Sequence, residues 1–391
     1  MLPHKNQTLR VVLILGSVTA LTPLSVDMYL STFPAIAADL KTDMSHVELS
    51  LTLFFIGIAT GQLFFGPLSD RFGRKLPLMG GLLLAALASF LCAVTPDIGS
   101  FIGFRFVQAL GICAGTVIAR AMVRDMFDHH EAARFFSLLM LVMGLAPILA
   151  PAAGSILSRF FGWPSVFYFI MAAALLCLVA VLVLLPETQA PNRSVRLTKV
   201  FHTYLDILRN PGFRHYALAG ACAQAGMFAY ITGSPYVLID YFGVAPEHFG
   251  LIFGLNAVGL IGFSQLNRYL LKHHDFNRIL RVAFSVILFA GLGLIAGTIF
   301  NFGLVGVALL LFAYVASLGM VMPNALAGAL AEEGGRAGAA SALAGSLQFS
   351  AAFVSSGLIG LIHATSPVPL MLVMGVCGTG AFVISRRRTV A

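Results

Sequence analysis

Charge is what this chain has least of. Only 10% of its 391 residues are Asp, Glu, Lys or Arg, against about 25% in ordinary soluble domains. Hydrophobic residues make up 59%, more apolar surface than a water-soluble fold can cover, so the solvent for most of the chain is lipid. The phosphate loop G-x-x-x-x-G-K-[ST] is absent, which excludes an ATP-driven pump of that type. The few cysteines (Cys92, Cys113, Cys177, Cys222 and Cys377) all lie in apolar segments without metal-ligand spacing and read as small buried hydrophobes, with no disulfide framework or redox role. His129–His130 and His273–His274 are loop pairs with no carboxylate at ligand spacing, so neither a metal, a cofactor nor a membrane-embedded enzyme is expected. Tryptophan occurs once, at Trp163 beside an outer loop, where it reads as an interfacial anchor.

What is present is a series of long apolar runs. A bilayer crossing takes about 20 apolar residues, and candidate spans fall at 11–31, 48–67, 76–95, 99–121, 135–157, 164–185, 214–238, 248–268, 278–300, 303–325, 338–362 and 367–385. The first run is too long for the core of a signal peptide and reads as a retained helix. The longest polar break separates six spans from six. The sequence therefore predicts an all-α membrane protein of twelve transmembrane helices in two six-helix bundles, residues 1–186 and 214–391, joined by a cytoplasmic linker at 187–213. With both termini in the cytoplasm, every Lys and Arg except Lys41, Arg159 and Arg105 falls in a cytoplasmic loop or tail, as the positive-inside rule requires. The net charge of +8 is then explained by topology, and no nucleic-acid partner is expected. No large soluble domain offers a dimer surface, so a monomer in the lipid bilayer is the expectation.

Gly66-Pro-Leu-Ser-Asp-Arg-Phe-Gly-Arg-Lys75 is a basic, glycine-punctuated stretch between two of these spans. Gly66 and Gly73 permit a tight reversal, Pro67 is expected to end the preceding helix, and Asp70, Arg71 and Arg74 supply the charge. The corresponding stretch of the second half, Asn267-Arg-Tyr-Leu-Leu-Lys-His-His-Asp-Phe-Asn-Arg278, stays basic but has no glycine.

Asp27 is the one acid placed within an apolar run, and an acid in a span is a functional hypothesis by default. It lies about 6 Å below the outer end of its helix, and Arg105 enters its own helix to about 9 Å, at about 1.5 Å rise per residue. Two opposite charges at similar depth suit a proton-coupling site, because a carboxyl balanced between desolvation and a cation can load and release a proton. The alternative is a static buried ion pair that only fastens the first helix to the fourth. Gln108, almost one turn from Arg105, either shares its network or makes a simple interhelical hydrogen bond.

Nine stretches carry a resemblance. The basic hairpin resembles the G-x-L-x-D-R-x-G-R-K loop of the major facilitator superfamily, and Arg105-Phe-Val-Gln-Ala-Leu-Gly111 resembles its R-F-x-Q-G-x-G helix, with Ala109 at a usual glycine. Gly144-Leu-Ala-Pro147-Ile-Leu-Ala-Pro151-Ala-Ala-Gly154 looks like the helix-five signature of drug:proton antiporters, with two prolines bending the helix. Pro23–Leu30, Val123–Phe127, Leu185-Pro-Glu-Thr188, Ala225–Phe228, Val244–Gly250 and Asn324-Ala-Leu-Ala look like the bicyclomycin/chloramphenicol-resistance (Bcr/CflA) branch. The resemblance implies the major facilitator fold, with two pseudo-symmetric bundles, and proton-coupled export of bicyclomycin, sulfonamides or amphenicols from the bacterial inner membrane. It also implies that Asp27 and Arg105 are the coupling pair and that Asp70 gates by docking on the eleventh helix; a local hairpin cap is the plainer reading of Asp70.

Tyr29, Gln108, Gln224, Tyr230, Asn256 and Gln348 are the polar or aromatic span residues expected to line a substrate cavity. With only two charges within spans, a small neutral or weakly charged drug fits better than a metabolite such as cysteine or a sugar, which is the alternative. A channel or a membrane enzyme is more distant.

Overall fold

The computed structural model describes residues 5–126, 149–192, 197–331, 333, 336–361 and 366–386. Among them there are helices and no strands, because a chain in hydrocarbon must satisfy its backbone groups within each segment or within a closed barrel. The helices are α1 (Lys5–Leu30), the short α2 (Phe33–Asp39), α3 (Met44–Phe72), α4 (Lys75–Val94), α5 (Ile98–Met126), α6 (described over 149–161) and α7 (Pro164–Leu184). They continue as α8 (Leu197–Arg209), α9 (Pro211–Pro235), α10 (Pro246–Leu270), α11 (Phe276–Phe300), α12 (Gly303–Ala331), α13 (Ala337–Leu361) and α14 (Val368–Arg386).

Ten of the described helices are long and apolar enough to cross a membrane. Of the other two expected crossings, 135–157 lies mostly outside the described residues, and the other is α9. α9 has 25 residues but is rich in glycine, alanine and polar side chains, and it is buried along most of its length against α12, α13 and α14. A helix that meets other helices on most sides needs small residues rather than a lipid-facing coat.

The chain divides into two compact units, Met1–His202 and Thr203–Ala391. In the first, α5 packs on α1, α3 and α4, while α7 packs on α1 and α4. In the second, α12 packs on α9, α10 and α11, while α14 packs on α9 and α11. The second scheme repeats the first, helix for helix, with α9 standing where α1 stands. The internal repeat that the sequence carries only faintly is explicit in the packing. Apolar residues left exposed, such as Leu87 on α4 and Leu176 and Val183 on α7, form the lipid-facing coat.

The basic hairpin departs from expectation. α3 runs on through Pro67 to Phe72, and the chain reverses only at Gly73, whose φ is +88°. Proline removes a single donor from the helix, and the last turn is held from outside by the contacts described below. Gly66 lies within the helix and makes no turn.

Candidate functional site

Arg105 on α5 is completely buried, with no carboxylate against it among the described residues. Its guanidinium carbon lies 4.3 Å from the ring centre of Phe54, 4.4 Å from that of Tyr29 and 5.6 Å from that of Phe167. A planar cation on aromatic faces is favoured most where water is excluded. Its N–H groups donate to the Ser25 carbonyl at 3.1 Å and to Gln108 Oε1, while Nε has no partner among the described residues. Gln108 passes the network on, donating to Ser89 Oγ on α4 at 2.7 Å. The two alternatives for Gln108 are thus both realised.

Asp27 is 4% exposed and makes no hydrogen bond or ion pair among the described residues. The reason is the phase of α1. At about 100° per residue, Ser25 and Tyr29 share one face of a helix and Asp27 stands about 200° away. Arg105 holds the Ser25–Tyr29 face, so the two membrane charges lie on opposite sides of α1. Equal depth does not bring them together. Thr22 and Ser25, on the Arg105 side, have buried hydroxyls without a partner among the described residues.

Tyr29 is itself fully buried, its hydroxyl bonded to Ser50 Oγ at 2.6 Å and to the Val47 carbonyl at 3.1 Å. Its ring is packed among Phe33, Phe101 and Phe167. Trp163 joins this cluster as an edge against Phe101 and Phe167, and its indole N–H donates to Asp39 Oδ2 at 2.8 Å. It is buried rather than an interfacial anchor, because Asp39 on α2 supplies the polar partner that a lipid headgroup was expected to supply.

The second half of the helix-five signature lies on α6. Pro151 is buried, Pro147 lies outside the described residues, and Gly154 packs directly on the backbone carbonyl of Met28. A side chain at Gly154 would collide with α1 one residue from Asp27. Ala109, at the usual glycine of the helix-four pattern, is accommodated by Gly57 across the interface on α3.

In the hairpin, Arg74 gathers three acids. It bonds Asp70 Oδ1 at 2.5 Å, Ser69 Oγ at 2.7 Å and Asp125 Oδ2 on α5 at 2.8 Å, and its backbone N–H donates to Glu187 Oε1 at 2.8 Å. Burial opposes its charge, but Asp125 and Asp70 more than offset that and hold its pKa above the ordinary arginine value. Glu187 also accepts from Lys75 N at 3.1 Å and so caps the start of α4, where an anion is favoured. Gly73 makes the room, since a Cβ there would stand 2.7 Å from Glu187 Oε2. Arg71 lies over the Phe72 ring.

In the second unit, Asn256 on α10 donates to the Tyr230 hydroxyl on α9 at 2.6 Å, and Tyr230 stacks on Phe253 at 5.5 Å. These two satisfy each other. Gln224 on α9 reaches only Met227 Sδ at 3.7 Å, with its Oε1 buried and unpartnered among the described residues. Gln348 on α13 is half-buried and carries no hydrogen bond among the described residues.

A model of the Major Facilitator Superfamily matches residues 15–356. The chain belongs to that family. An uncharacterized MFS-type transporter, YdgK of Bacillus subtilis, is 35% identical over 97% of this chain and 96% of its own length. A bicyclomycin resistance protein homolog of Haemophilus influenzae is 31% identical over 96% of this chain and 94% of its own. Among solved structures, a D-xylose-proton symporter superposes with a TM-score of 0.77 over 97% of both chains at 16% identity, a likeness of fold. The likeness to bicyclomycin-resistance proteins read from the sequence therefore holds, and the chain is a membrane transporter of the major facilitator fold.

Within this transporter, sequence reasoning passed over Asp125 and Glu187. Both lie in stretches whose sequence carries only the family likeness, Val123–Phe127 and Leu185–Thr188. Each is an acid at the end of an apolar run, and that position was the available signal. Glu333 was missed too: its carboxylate accepts from Asn210 Nδ2 at 2.8 Å and pairs with Arg336 at 2.7 Å, joining the start of α9 to the α12–α13 connection.

Proposed function

We propose that this transporter exports small amphipathic drugs of the bicyclomycin, sulfonamide or amphenicol kind in exchange for protons, by alternating access in the bacterial inner membrane. In this reading it works as a monomer with both termini cytoplasmic, and its moving halves are 1–186 and 214–391 with 187–213 as linker. The observation that carries the proposal is Asp27, a carboxyl 4% exposed within a span and without a partner among the described residues. A bare charge there carries a desolvation cost of order several kcal/mol, so proton binding and release change the energy of the site strongly as its surroundings change. The relative named for bicyclomycin resistance supports the drug class.

The coupling runs through α1. Asp27 stands on one side of that helix and the carbonyl anchor of Arg105 on the other, so movement of α1 alters both at once. One proton entering down a potential of 100 mV supplies about 2.3 kcal/mol, enough for tens-fold outward concentration of a neutral drug. Gln224 and Gln348, with hydrogen-bonding capacity left over, are the stronger substrate contacts. Tyr29, Tyr230 and Asn256 contribute packed walls in this conformation. Asp70, Arg71 and Arg74, seated by Gly73, form the gate.

The test is substrate-induced proton movement in liposomes holding the purified protein, with bicyclomycin, a sulfonamide, florfenicol and cysteine offered in turn. A response to any of the drugs supports the proposal. A response to cysteine alone reassigns the transporter to metabolites, and no response to any of them sinks the drug assignment.

A further inference from the structure

The two basic hairpins of this chain differ in what their charges do. In the first, Arg74 is spent on Asp70 and Asp125, and Lys75 Nζ donates to the Leu182 carbonyl at 2.8 Å. In the second, between α10 and α11, Arg268, Lys272, Arg278 and Arg281 are all exposed and none of their side chains makes a hydrogen bond or ion pair among the described residues. His273 and His274 add to the same turn, with Tyr269 edge-on to His273. The only acid there, Asp275, is the N-cap of α11 and accepts from Asn277 N at 3.0 Å. Positive charge sets topology wherever it lies in a loop, but here it is also left without an internal counter-charge.

The surroundings give the missing partner a shape. α10 and α11 each pack along α12, and the basic turn joins their ends. Apolar residues are exposed on both helices near the turn: Leu266 and Tyr269 on α10, Val282 and Phe289 on α11. Arg278 lies on the same face of α11 as Val282 and Phe289, at spacings of four and eleven residues. Acyl chains fit the flanks and a phosphate fits the turn. We propose that the α10–α11 hairpin is a docking surface for acidic phospholipids, with the headgroup phosphate held by Arg268, Lys272, Arg278 and Arg281. Each base near a membrane surface contributes about fivefold in affinity for anionic lipid, less as salt rises.

The experiment is native mass spectrometry of the purified full-length protein carrying phosphatidylglycerol or phosphatidylcholine, at low and high ionic strength. The wild type is expected to retain phosphatidylglycerol preferentially, with the preference fading at high salt. The variant Arg268→Gln/Lys272→Gln/Arg278→Gln/Arg281→Gln is expected to lose at least about tenfold of that affinity with phosphatidylcholine retention unchanged, while Arg268→Lys/Arg278→Lys/Arg281→Lys keeps it. Photo-crosslinking of the wild type with a phosphatidylglycerol analogue, which needs no variant to fold, should place adducts in 268–281. Equal retention of the two lipids by the wild type, an unchanged preference in the Gln variant, or adducts confined to other segments would overturn the proposal. Displacement by soluble glycerol phosphate at matched concentration would also overturn it, by making the turn a site for free anions.

Discussion

Arg105 donates to the carbonyl of Ser25, two positions before Asp27, yet Arg105 and Asp27 face opposite sides of α1 and share no ion pair. The arginine is held by neutral oxygen atoms and ring faces, and the carboxyl by nothing polar among the described residues. A static ion pair fastening α1 to α5 is therefore not what this arrangement provides. What lies between the two charges is α1 itself.

The cage around Arg105 makes its chemistry specific to arginine. Arg105→Lys keeps the charge but loses the flat contact with Tyr29 and Phe54 and the fork that reaches both Ser25 and Gln108. The expected cost is about 1–3 kcal/mol of stability, with transport reduced by at least about tenfold. Thermal unfolding in detergent, read beside transport in liposomes, checks both. A variant with wild-type stability and transport would mean that charge alone suffices.

The two glycines of the first hairpin should respond in opposite directions. Gly73→Ala forces a positive φ on a side chain and pushes on Glu187, an expected loss of about 1–3 kcal/mol. Gly66→Ala lies within α3 with only Val117 nearby, and is expected to gain about 0.5–1 kcal/mol from helix propensity. Melting temperatures of the two variants in one detergent decide it. Equal losses would contradict the placement of the turn.

Why the sequence showed one glycine's role and not the other's is a matter of range. Depth along a helix follows from counting residues, so the ten spans found among the described helices were legible. Rotation about a helix depends on what packs against it, and nothing local says that Ser25 and Tyr29, rather than Asp27, face α5. The hairpin's charges were legible, but their partners Asp125 and Glu187 lie 51 and 113 residues from Arg74. Pro67 was misread because a proline weakens a helix without saying whether tertiary contacts hold its last turn. The same limit applies to Trp163, whose partner Asp39 comes from a short helix that no apolar period announces.

Gly154 is where α6 meets α1 beside Asp27. Gly154→Val would press on the Met28 carbonyl and is expected to cost about 1–3 kcal/mol by overpacking, with drug-driven proton movement lost. Ala152→Val, exposed on the same helix, should change neither. Wild-type proton movement in Gly154→Val would separate the α1–α6 contact from coupling.

The most direct test of the account is drug-induced proton movement with wild type, Asp27→Asn and Asp27→Glu in matched liposomes, alongside drug binding to each purified protein. With Asp27 as the coupling group, Asp27→Asn is expected to bind drug but move no protons, and Asp27→Glu to retain part of the wild-type rate. Drug-driven proton movement by Asp27→Asn at the wild-type rate would contradict it.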